Sequence, residues 1–226
     1  MNYAIIVAAG KGERMTSIVP KQFLELDGKP LLYHTVKKFL DFSSSLLIIL
    51  VLPEASVISG SFKDIYFPGN RQIFVVAGGE NRFHSVQNGL RAILEDEGVV
   101  FIHDGVRPFV SERVLTHCLE EALRTGNAIP CMGLKDSLRQ VDEEGNRAVP
   151  RNEYKAIQTP QTFRIRDIKK AFEQDYDPLF TDEASVFEAA GQMVHLVAGN
   201  DENIKITTPL DFELAKYLLA KENKNV

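Results

Sequence analysis

The residues best suited to chemistry near the start of the chain form a glycine-containing, cationic loop. An apolar run, Tyr3–Ala9, leads into Gly10-Lys11-Gly12-Glu13-Arg14-Met15, and Lys21 follows soon after. Glycines let a backbone approach a ligand closely, while N–H groups, Arg and Lys supply donors and charge for phosphate. The loop lacks the third glycine of a dinucleotide fingerprint and the Gly-Lys-Ser/Thr of a Walker loop. It therefore predicts phosphate binding of another kind, unless Arg14 and Lys21 are ordinary surface cations.

A carboxylate follows a second apolar run. Val99–Ile102 leads into His103-Asp104-Gly105-Val106-Arg107-Pro108. An Asp at the carboxyl end of a central strand can hold Mg²⁺ through one or two oxygens and leave other positions for phosphate and water. Arg107 could pair with Asp104 or order the loop. The alternatives are that Asp104 caps a turn and that the ring of His103 satisfies a backbone group.

A third cluster, Gly78-Gly79-Glu80-Asn81-Arg82 with Ser85, follows the apolar run Ile73–Ala77. Two glycines would let the backbone approach a flat base, and Ser85 could hydrogen-bond a sugar or a base edge. The alternative is a strand-to-helix turn capped by Asn81. Arg151 with Gln158–Gln161, Thr181–Ser185 with Thr181 as N-cap, and Asn203–Lys205 are each more typical of ordinary structure when taken singly.

The elements that must position these residues alternate along the chain. Strands are predicted at Tyr3–Ala9, Leu46–Leu52, Ile73–Ala77, Val99–His103, Ala128–Met132 and Met193–Val197. Between them, single helical faces carry Leu32, Val36, Phe39 and Leu40, then Val86, Leu90, Ile93 and Leu94, then Val114, Leu115, Cys118, Leu119 and Ala122. This alternation predicts an α/β fold, a mostly parallel sheet with helices on both faces, whose ligands gather at the carboxyl ends of the strands.

Two further segments carry structural predictions. Residues 135–158 lack a helical pattern and contain the polar turn Asp142–Asn146, which predicts a projecting β-hairpin. The hairpin is either a surface excursion or an arm that docks on a second subunit. Near the end, Thr208 and Pro209 predict a helix start, with Leu210, Leu214, Tyr217 and Leu218 as its buried stripe.

Composition limits the class of protein. The 226 residues are expected to form a single domain, 1–226, and a net charge of −5 argues against a nucleic-acid partner. The sequence contains no apolar run of about 18 residues, so no membrane span is predicted. Cys118 and Cys131 lie in apolar segments and are expected to be core thiols rather than a disulfide. Because the first residues lack the basic start and longer apolar stretch of a signal peptide, we expect a cytoplasmic location.

Seven motifs in order make these clusters more than independent patterns. The set AAGxGxRM, PKQ, GGxxRxxSV, HDxxRP, QTPQ, TDEAS and NIK resembles the 2-C-methyl-D-erythritol 4-phosphate cytidylyltransferases of the non-mevalonate isoprenoid pathway, from about Ala8 to Lys205. Ribitol 5-phosphate cytidylyltransferases share much of the set, so another sugar phosphate is the alternative acceptor. The remote alternative is a non-catalytic nucleotide-binding module. Such a module is expected to have lost its cations, but Arg14, Lys21, Arg107 and Lys205 are all present.

The resemblance implies a Rossmann-like nucleotidyltransferase fold and transfer of CMP from CTP, with Mg²⁺ or another divalent cation as cofactor. Carried over by position, Arg14 and Lys21 are catalytic and neutralise the CTP phosphates and the transition state, and Asp104 holds the metal. The implied CTP-binding residues are Ala8, Ala9, Gly10, Gly12, Gly79, Glu80, Ser85 and Asp104.

The resemblance also implies an acceptor site and a homodimer formed through the β-arm. The acceptor, a sugar-alcohol phosphate, would meet Arg107, Thr159, Thr181 and Lys205, while Ser137 and Arg151 in the arm would reach the acceptor of the partner subunit. The chain departs from the family pattern at three sites: Gly105 and Val106 replace two alanines, Ser137 a common Thr, and Glu183 a common Asp. None of these changes removes a charged group.

Overall fold

The structure, a computed structural model, describes residues 1–10 and 19–224. Gly12 and Arg14, two of the implied site residues, therefore lie outside the described residues. The strands are β1 (Tyr3–Val7), β2 (Glu25–Leu26), β3 (Lys29–Pro30), β4 (Leu47–Leu52), β5 (Ile73–Ala77), β6 (Val99–Asp104), β7 (Asn127–Gly133), β8 (Leu138–Asp142), β9 (Gly145–Val149), β10 (Lys155–Ile157), β11 (Gln161–Arg164) and β12 (Leu196–Ala198).

The helices alternate with the long strands, as predicted. They are α1 (Leu31–Phe42), α2 (Glu54–Ser59), α3 (Ser61–Tyr66), α4 (Arg82–Arg91), α5 (Glu112–Thr125), α6 (Ile165–Ala171), α7 (Glu183–Ala189) and α8 (Pro209–Lys224), with single 3₁₀ turns at Lys21–Phe23 and Arg151–Glu153. No described helix is long and apolar enough to cross a membrane.

The central sheet has the order β10-β7-β11-β6-β1-β4-β5, with β12 beside β7. β6, β1, β4 and β5 are parallel neighbours, and Val7 at the end of β1 lies opposite both Asp104 and Val51. Parallel strands buried on both faces are continuous apolar runs, as β1, β4 and β6 are, and β5 at the edge of the sheet is an apolar run although Phe74 is exposed. Their carboxyl ends meet at one edge of the sheet, where Asp104 ends β6 and part of the predicted site lies.

Within the central sheet, two short strands that were not predicted run antiparallel. β11 lies between β6 and β7, and β10 pairs with β7. Both are too short and too polar to stand out as apolar runs. The last strand was predicted at Met193–Val197, but β12 covers Leu196–Ala198. The Asn127 side chain bonds the backbone of Met193 and His195.

Helices cover both faces of the sheet, as predicted. α1 and α5 pack on one face and α4, α6 and α7 on the other. The predicted faces of α1, α4 and α5 are buried or partly buried except at Leu94, which is 88% exposed because α4 ends at Arg91. Cys118 is buried, Cys131 is half-buried, and both are free, as predicted.

The last helix begins as predicted but buries a different stripe. Thr208 Oγ1 accepts from the Asp211 N–H at 3.2 Å, and Pro209 is the first helical residue. Three of the four residues of the predicted stripe are wrong, because Leu210, Leu214 and Tyr217 are exposed (78%, 43% and 66%) and only Leu218 is partly buried. Ala215 and Leu219 are buried instead, with Phe212 and Leu218 partly buried beside them. Both stripes have helical spacing, so only contact with the loop after β6 separates them.

The predicted hairpin is present. β8 and β9 form a separate two-stranded sheet in which Asp142 lies opposite Gly145, and residues 139–148 are all exposed. The hairpin itself is shorter than the predicted segment 135–158, because residues 155–157 return to the main sheet as β10.

Candidate active site

A buried carboxylate surrounded by three cations lies at the carboxyl edge of the sheet. Asp104 ends β6, and its Oδ2 lies 3.0 Å from Lys205 Nζ and 3.3 Å from Arg107 Nε. Its Oδ1 lies 3.3 Å from Arg82 Nη2. The cations come from three segments: the start of α4, the turn after β6 and the stretch before α8. The fold therefore concentrates positive charge locally in a chain whose net charge is negative.

These neighbours fix the ionisation of Asp104. Burial alone would raise its pKa, but the charges of Arg82, Lys205 and Arg107 outweigh burial and hold the pKa well below its usual range. The side chains of Arg107 and Asp104 are only 12% and 9% exposed, whereas Lys205 keeps 38%. Lys205 is thus the cation of this cluster most open to a ligand from solvent.

Arg82 also bridges to a second buried carboxylate, Glu183 at the start of α7. Its Nη2 donates to Glu183 Oε2 at 3.0 Å, and its Nη1 donates to Oε1. The Glu183 side chain is 1% exposed, and burial raises its pKa although Arg82 opposes the shift. The sequence did not predict the ion pair between Arg82 and Glu183. Its only indication was that Arg82 lies in the GGxxRxxSV motif and Glu183 in the TDEAS motif.

The glycine loop before α4 is held by its own side chains. Ser85 Oγ accepts the Gly79 N–H at 3.1 Å and donates to the Asn81 carbonyl at 2.8 Å. Asn81 also caps α4 by accepting from the His84 N–H at 3.1 Å, so the alternative interpretation of Asn81 as a cap is confirmed. A Cβ on Gly79 would overlap His84, which explains the glycine. Glu80 is exposed beside it.

The described end of the first loop is tied to β1 through Gln22. Gln22 is buried, and its amide donates to the carbonyls of Ala8 (2.8 Å) and Gly10 (3.1 Å). Lys21 directly precedes Gln22 and is thereby placed near the end of β1. Gln22 was not predicted as a site residue, although it belongs to the PKQ motif.

Thr159 and Arg107 are joined to the same edge by backbone contacts. Thr159 Oγ1 accepts the Asp104 N–H at 3.1 Å, and Arg107 Nη1 donates to the Asn203 carbonyl at 2.8 Å. Asn203 in turn donates to the Thr159 carbonyl at 2.8 Å. Arg107, Thr159 and Lys205, three of the implied acceptor residues, are therefore assembled around Asp104.

The other implied acceptor residues lie apart from this cluster. Thr181 is exposed and does not cap α7; Asp182 does, because its carboxylate accepts from the Ser185 N–H at 2.9 Å in a capping box. Ser137 and Arg151 are exposed at the two ends of the hairpin, and Arg151 Nη1 donates to the Lys135 carbonyl. Neither hydrogen-bonds or ion-pairs with Asp104 or its three cations.

The residues present fit a divalent metal that arrives with a triphosphate. The described part of the chain contains no group of three or more His, Cys, Asp or Glu side chains that could hold a metal. Mg²⁺ is, however, commonly bound by one or two carboxylates together with substrate phosphates and water. Asp104 meets that requirement. Both of its oxygens already accept from Arg82, Arg107 or Lys205, so a metal would displace at least one of these cations.

Comparisons with known proteins identify the family. The family model of 2-C-methyl-D-erythritol 4-phosphate cytidylyltransferase matches residues 2–221. The enzyme of that name from Phocaeicola vulgatus is 47% identical over 221 residues, covering 96% of this chain and 99% of its own. That from Bacteroides fragilis is 48% identical over 218 residues, covering 96% and 98%.

Solved structures show the same fold. The 4-diphosphocytidyl-2C-methyl-D-erythritol synthase of Anaerococcus prevotii superposes with a TM-score of 0.82 at 30% identity, covering 97% of this chain and 96% of its own. The cytidylyltransferase of Thermus thermophilus gives 0.75 at 30% identity, covering 95% and 97%. The predicted resemblance and the nucleotidyltransferase fold are thus confirmed, and this chain belongs to the 2-C-methyl-D-erythritol 4-phosphate cytidylyltransferase family.

Proposed function

We propose that this cytidylyltransferase transfers CMP from CTP to the phosphate of 2-C-methyl-D-erythritol 4-phosphate at the carboxyl edge of its sheet. The products are 4-diphosphocytidyl-2-C-methyl-D-erythritol and pyrophosphate, in isoprenoid precursor biosynthesis. The observation that carries the proposal is the cluster of Arg82, Arg107 and Lys205 around the buried Asp104. Such a cluster, next to a glycine loop, suits two phosphate-bearing substrates that must be brought together against their mutual repulsion.

In the proposed reaction an acceptor phosphate oxygen attacks the α-phosphorus of CTP, and the bond from that phosphorus to the bridging oxygen breaks. A phosphate monoester is already anionic near neutral pH, so the step needs no general base. His103 agrees with this scheme: it is buried, both ring nitrogens are hydrogen-bonded, and burial lowers its pKa to about 4. Catalysis then depends on fixed positive charge that stabilises the negative charge on the leaving side.

We assign the CTP half of the site to the loops around the ends of β1 and β5. The small residues Ala8 and Ala9, with Gly10 and Gly79, leave room for backbone approach to cytidine, and Ser85 holds Gly79 in place. Glu80 is exposed at the mouth of this loop. Lys21 would neutralise the triphosphate, and the family resemblance assigns the same task to Arg14, with Gly12 in the same loop. A divalent metal, held by Asp104 and the CTP phosphates, would supply further charge neutralisation.

We assign the acceptor half to Arg107 and Lys205. Arg107 has five N–H donors, and its described bonds use Nε and Nη1, which leaves donors for a phosphate. Lys205 reaches the same edge and is partly open to solvent. Thr181 lies exposed next to the cap of α7, near enough in sequence to Glu183 to border the same edge.

The proposed homodimer would complete the acceptor site through the hairpin. Residues 139–148 are all exposed, and Ser137 and Arg151 lie outside the cluster of their own chain. An arm of this kind is suited to donating Arg151 to a second copy. Sedimentation tests the idea directly: a dimer that becomes a monomer when residues 139–148 are replaced by a short Gly-Ser turn would support it, and a parent chain that is strictly monomeric would contradict it.

The two free thiols favour a reducing compartment. Cys118 is buried and Cys131 half-buried, and they form no disulfide. Proteins of oxidising compartments more often use such pairs as disulfides. We therefore propose that the enzyme works in the cytoplasm.

One assay tests the proposed reaction and its acceptor. Purified protein is given CTP and Mg²⁺ with either 2-C-methyl-D-erythritol 4-phosphate or ribitol 5-phosphate, and pyrophosphate release is measured. We expect kcat/KM to favour the methylerythritol phosphate strongly. A preference for ribitol 5-phosphate would assign the other acceptor, and no release with either would contradict the proposed reaction.

A further inference from the structure

His103 is a fully buried titratable residue beside Asp104 that the proposed chemistry does not use. Its side chain has no exposed surface, and its ring lies 5.0 Å from that of Phe39, edge to face. Burying an imidazole costs free energy unless its nitrogens are hydrogen-bonded, and a leucine or phenylalanine would avoid that cost. The bonds that His103 makes should therefore explain why an imidazole stands there.

Both ring nitrogens have partners, and the partners fix the tautomer. Nε2 lies 2.9 Å from the Arg107 carbonyl, which can only accept, so Nε2 carries the proton. Nδ1, 3.0 Å from Thr159 Oγ1, is then the acceptor, and the Thr159 hydroxyl donates to it. The same hydroxyl accepts the Asp104 N–H at 3.1 Å. His103 and Thr159 thus form one continuous chain of hydrogen bonds from the Asp104 amide to the Arg107 carbonyl.

This series of hydrogen bonds spans the turn that carries Asp104 and Arg107. Inside the turn, the Arg107 N–H donates to the Asp104 carbonyl at 3.1 Å. Outside it, Thr159 and His103 connect the same two residues. Thr159 is itself held by Asn203, which accepts from Arg107 through its own carbonyl. The only proton of the Thr159 hydroxyl is used in the bond to His103, so the hydroxyl cannot also donate to a phosphate, and Thr159 is 4% exposed.

We propose that His103 and Thr159 are positioning residues for the acceptor: they tie the Arg107 end of the turn to Asp104, which the pairing of β6 with β1 already holds, so that the Arg107 guanidinium is presented to the acceptor phosphate. The inference rests on the proposed role of Arg107. It also replaces the implied contact of Thr159 with the acceptor by an indirect role. The purpose of the imidazole is geometric, because a neutral ring with one donor and one acceptor joins the hydroxyl and the carbonyl across the turn.

Thr159 offers the sharper test, because serine keeps the hydroxyl and valine keeps the shape. We expect Thr159→Val to raise the acceptor KM about tenfold, as loss of one or two buried hydrogen bonds predicts, with the KM for CTP changed less than about twofold. Thr159→Ser should restore the acceptor KM to near the parent value. Thr162→Val is the matched control: Thr162 is equally buried, three residues along the chain, and takes no part in the bonds across the turn.

His103→Gln and His103→Leu supply the second test. Gln can still donate to the Arg107 carbonyl, whereas Leu loses both bonds. We expect the acceptor KM to rise in the order parent, Gln, Leu, again with little change for CTP. Melting curves of every variant ensure that the kinetics are measured on folded protein. If Leu does not fold, the Thr159 series decides alone.

Arg107→Ala separates failure of the inference from failure of the proposed function. We expect it to raise the acceptor KM by roughly 10- to 100-fold, as for loss of a hydrogen bond to a charged group. If it does so while Thr159→Val leaves the acceptor KM unchanged, or raises both KM values equally, the positioning role is overturned. If Arg107→Ala itself leaves the acceptor KM unchanged, the assigned role of Arg107 fails and the inference fails with it.

Discussion

Replacing Arg82 with methionine is expected to destabilise the protein strongly at neutral pH and much less at pH 5. Arg82 is the cation that bridges two buried carboxylates, Glu183 and Asp104. After the change Asp104 keeps Arg107 and Lys205, but Glu183 loses the only cation within ion-pairing distance among the described residues. The cost should therefore come chiefly from Glu183, which is 1% exposed.

The magnitude follows from what Glu183 can do without its partner. Arg82 Nη2 and Glu183 Oε2 lie 3.0 Å apart, so the lost attraction is about 5–6 kcal/mol for an effective dielectric constant of about 20. This value does not yet include any response of Glu183. Glu183 can limit the loss by binding a proton. From an ordinary pKa of about 4.3, protonation costs about 4 kcal/mol at pH 7 and about 1 kcal/mol at pH 5. We therefore expect a loss of about 3–4 kcal/mol at pH 7, in the range for breaking a buried ion pair.

The sign of the pH dependence is definite. A carboxyl whose pKa is higher in the folded than in the unfolded protein destabilises the fold as pH rises above the unfolded pKa. The pKa of Glu183 is already raised in the parent chain, so the difference in free energy of unfolding between the parent chain and Arg82→Met should shrink from pH 7 to pH 5 by up to about 3 kcal/mol. Adding Glu183→Gln should remove both the pH dependence and most of the loss.

Urea unfolding followed by far-ultraviolet circular dichroism at pH 5, 6 and 7 measures this, since the chain has no tryptophan. The matched control is Arg124→Met, which removes an exposed pair with Glu121 in α5, Arg124 being 71% exposed. We expect the control to change stability by less than about 1 kcal/mol at every pH. A difference for Arg82→Met that does not vary with pH, or no recovery with Glu183→Gln, would refute the reasoning.

Three other experiments, two on variants and one on the native thiols, have definite expected results. Lys21→Ala should lower kcat at least about 100-fold with an unchanged melting curve, because one fixed charge on the reacting phosphates is lost; near-normal turnover at saturating CTP would contradict this. Arg151→Ala should raise the acceptor KM and leave CTP binding unchanged, whereas Arg147→Ala, also on the hairpin, should change neither; weakened CTP binding alone would contradict the arm assignment. Burial raises the pKa of the Cys118 thiol to about 12, so a thiol reagent at pH 8 should label Cys131 first in the native protein and both thiols in urea. Equally rapid native labelling of both would show that Cys118 is more accessible than the structure indicates.

The parts of the fold that the sequence predicted well are those in which one local pattern leaves one solution. β1, β4 and β6 are short apolar runs, and burial on both faces of a parallel sheet requires such runs. α5 carries a single apolar stripe, so its buried face followed directly. α8 carries two possible stripes, and the predicted one, with Leu210, is exposed. Local spacing could not decide between them, because the choice depends on where the loop after β6 lies.

Some features of the candidate site could likewise be predicted from the sequence, and others could not. Asp104 was identified as a candidate metal ligand from its place after a strand, whereas Lys205 was assigned to the acceptor only through the family resemblance. The comparisons confirm that family. The bond between Arg82 and Glu183 joins residues 101 positions apart, and the bonds of His103 depend on how β11 and its preceding turn lie against β6. No local pattern carries that information.

The sequence by itself thus determined the class of chemistry, because residue type and motif order specify which groups can bind phosphate and which are small enough to let it approach. Only the tertiary structure decided how those groups are paired. Charges and hydrogen-bond donors act over a few ångströms, and the distances that matter are set where the carboxyl ends of β1 and β6 meet. There Asp104, already beside Arg107 of its own turn, acquires Arg82 and Lys205 from distant segments, and Thr159 accepts the Asp104 N–H at the start of that turn.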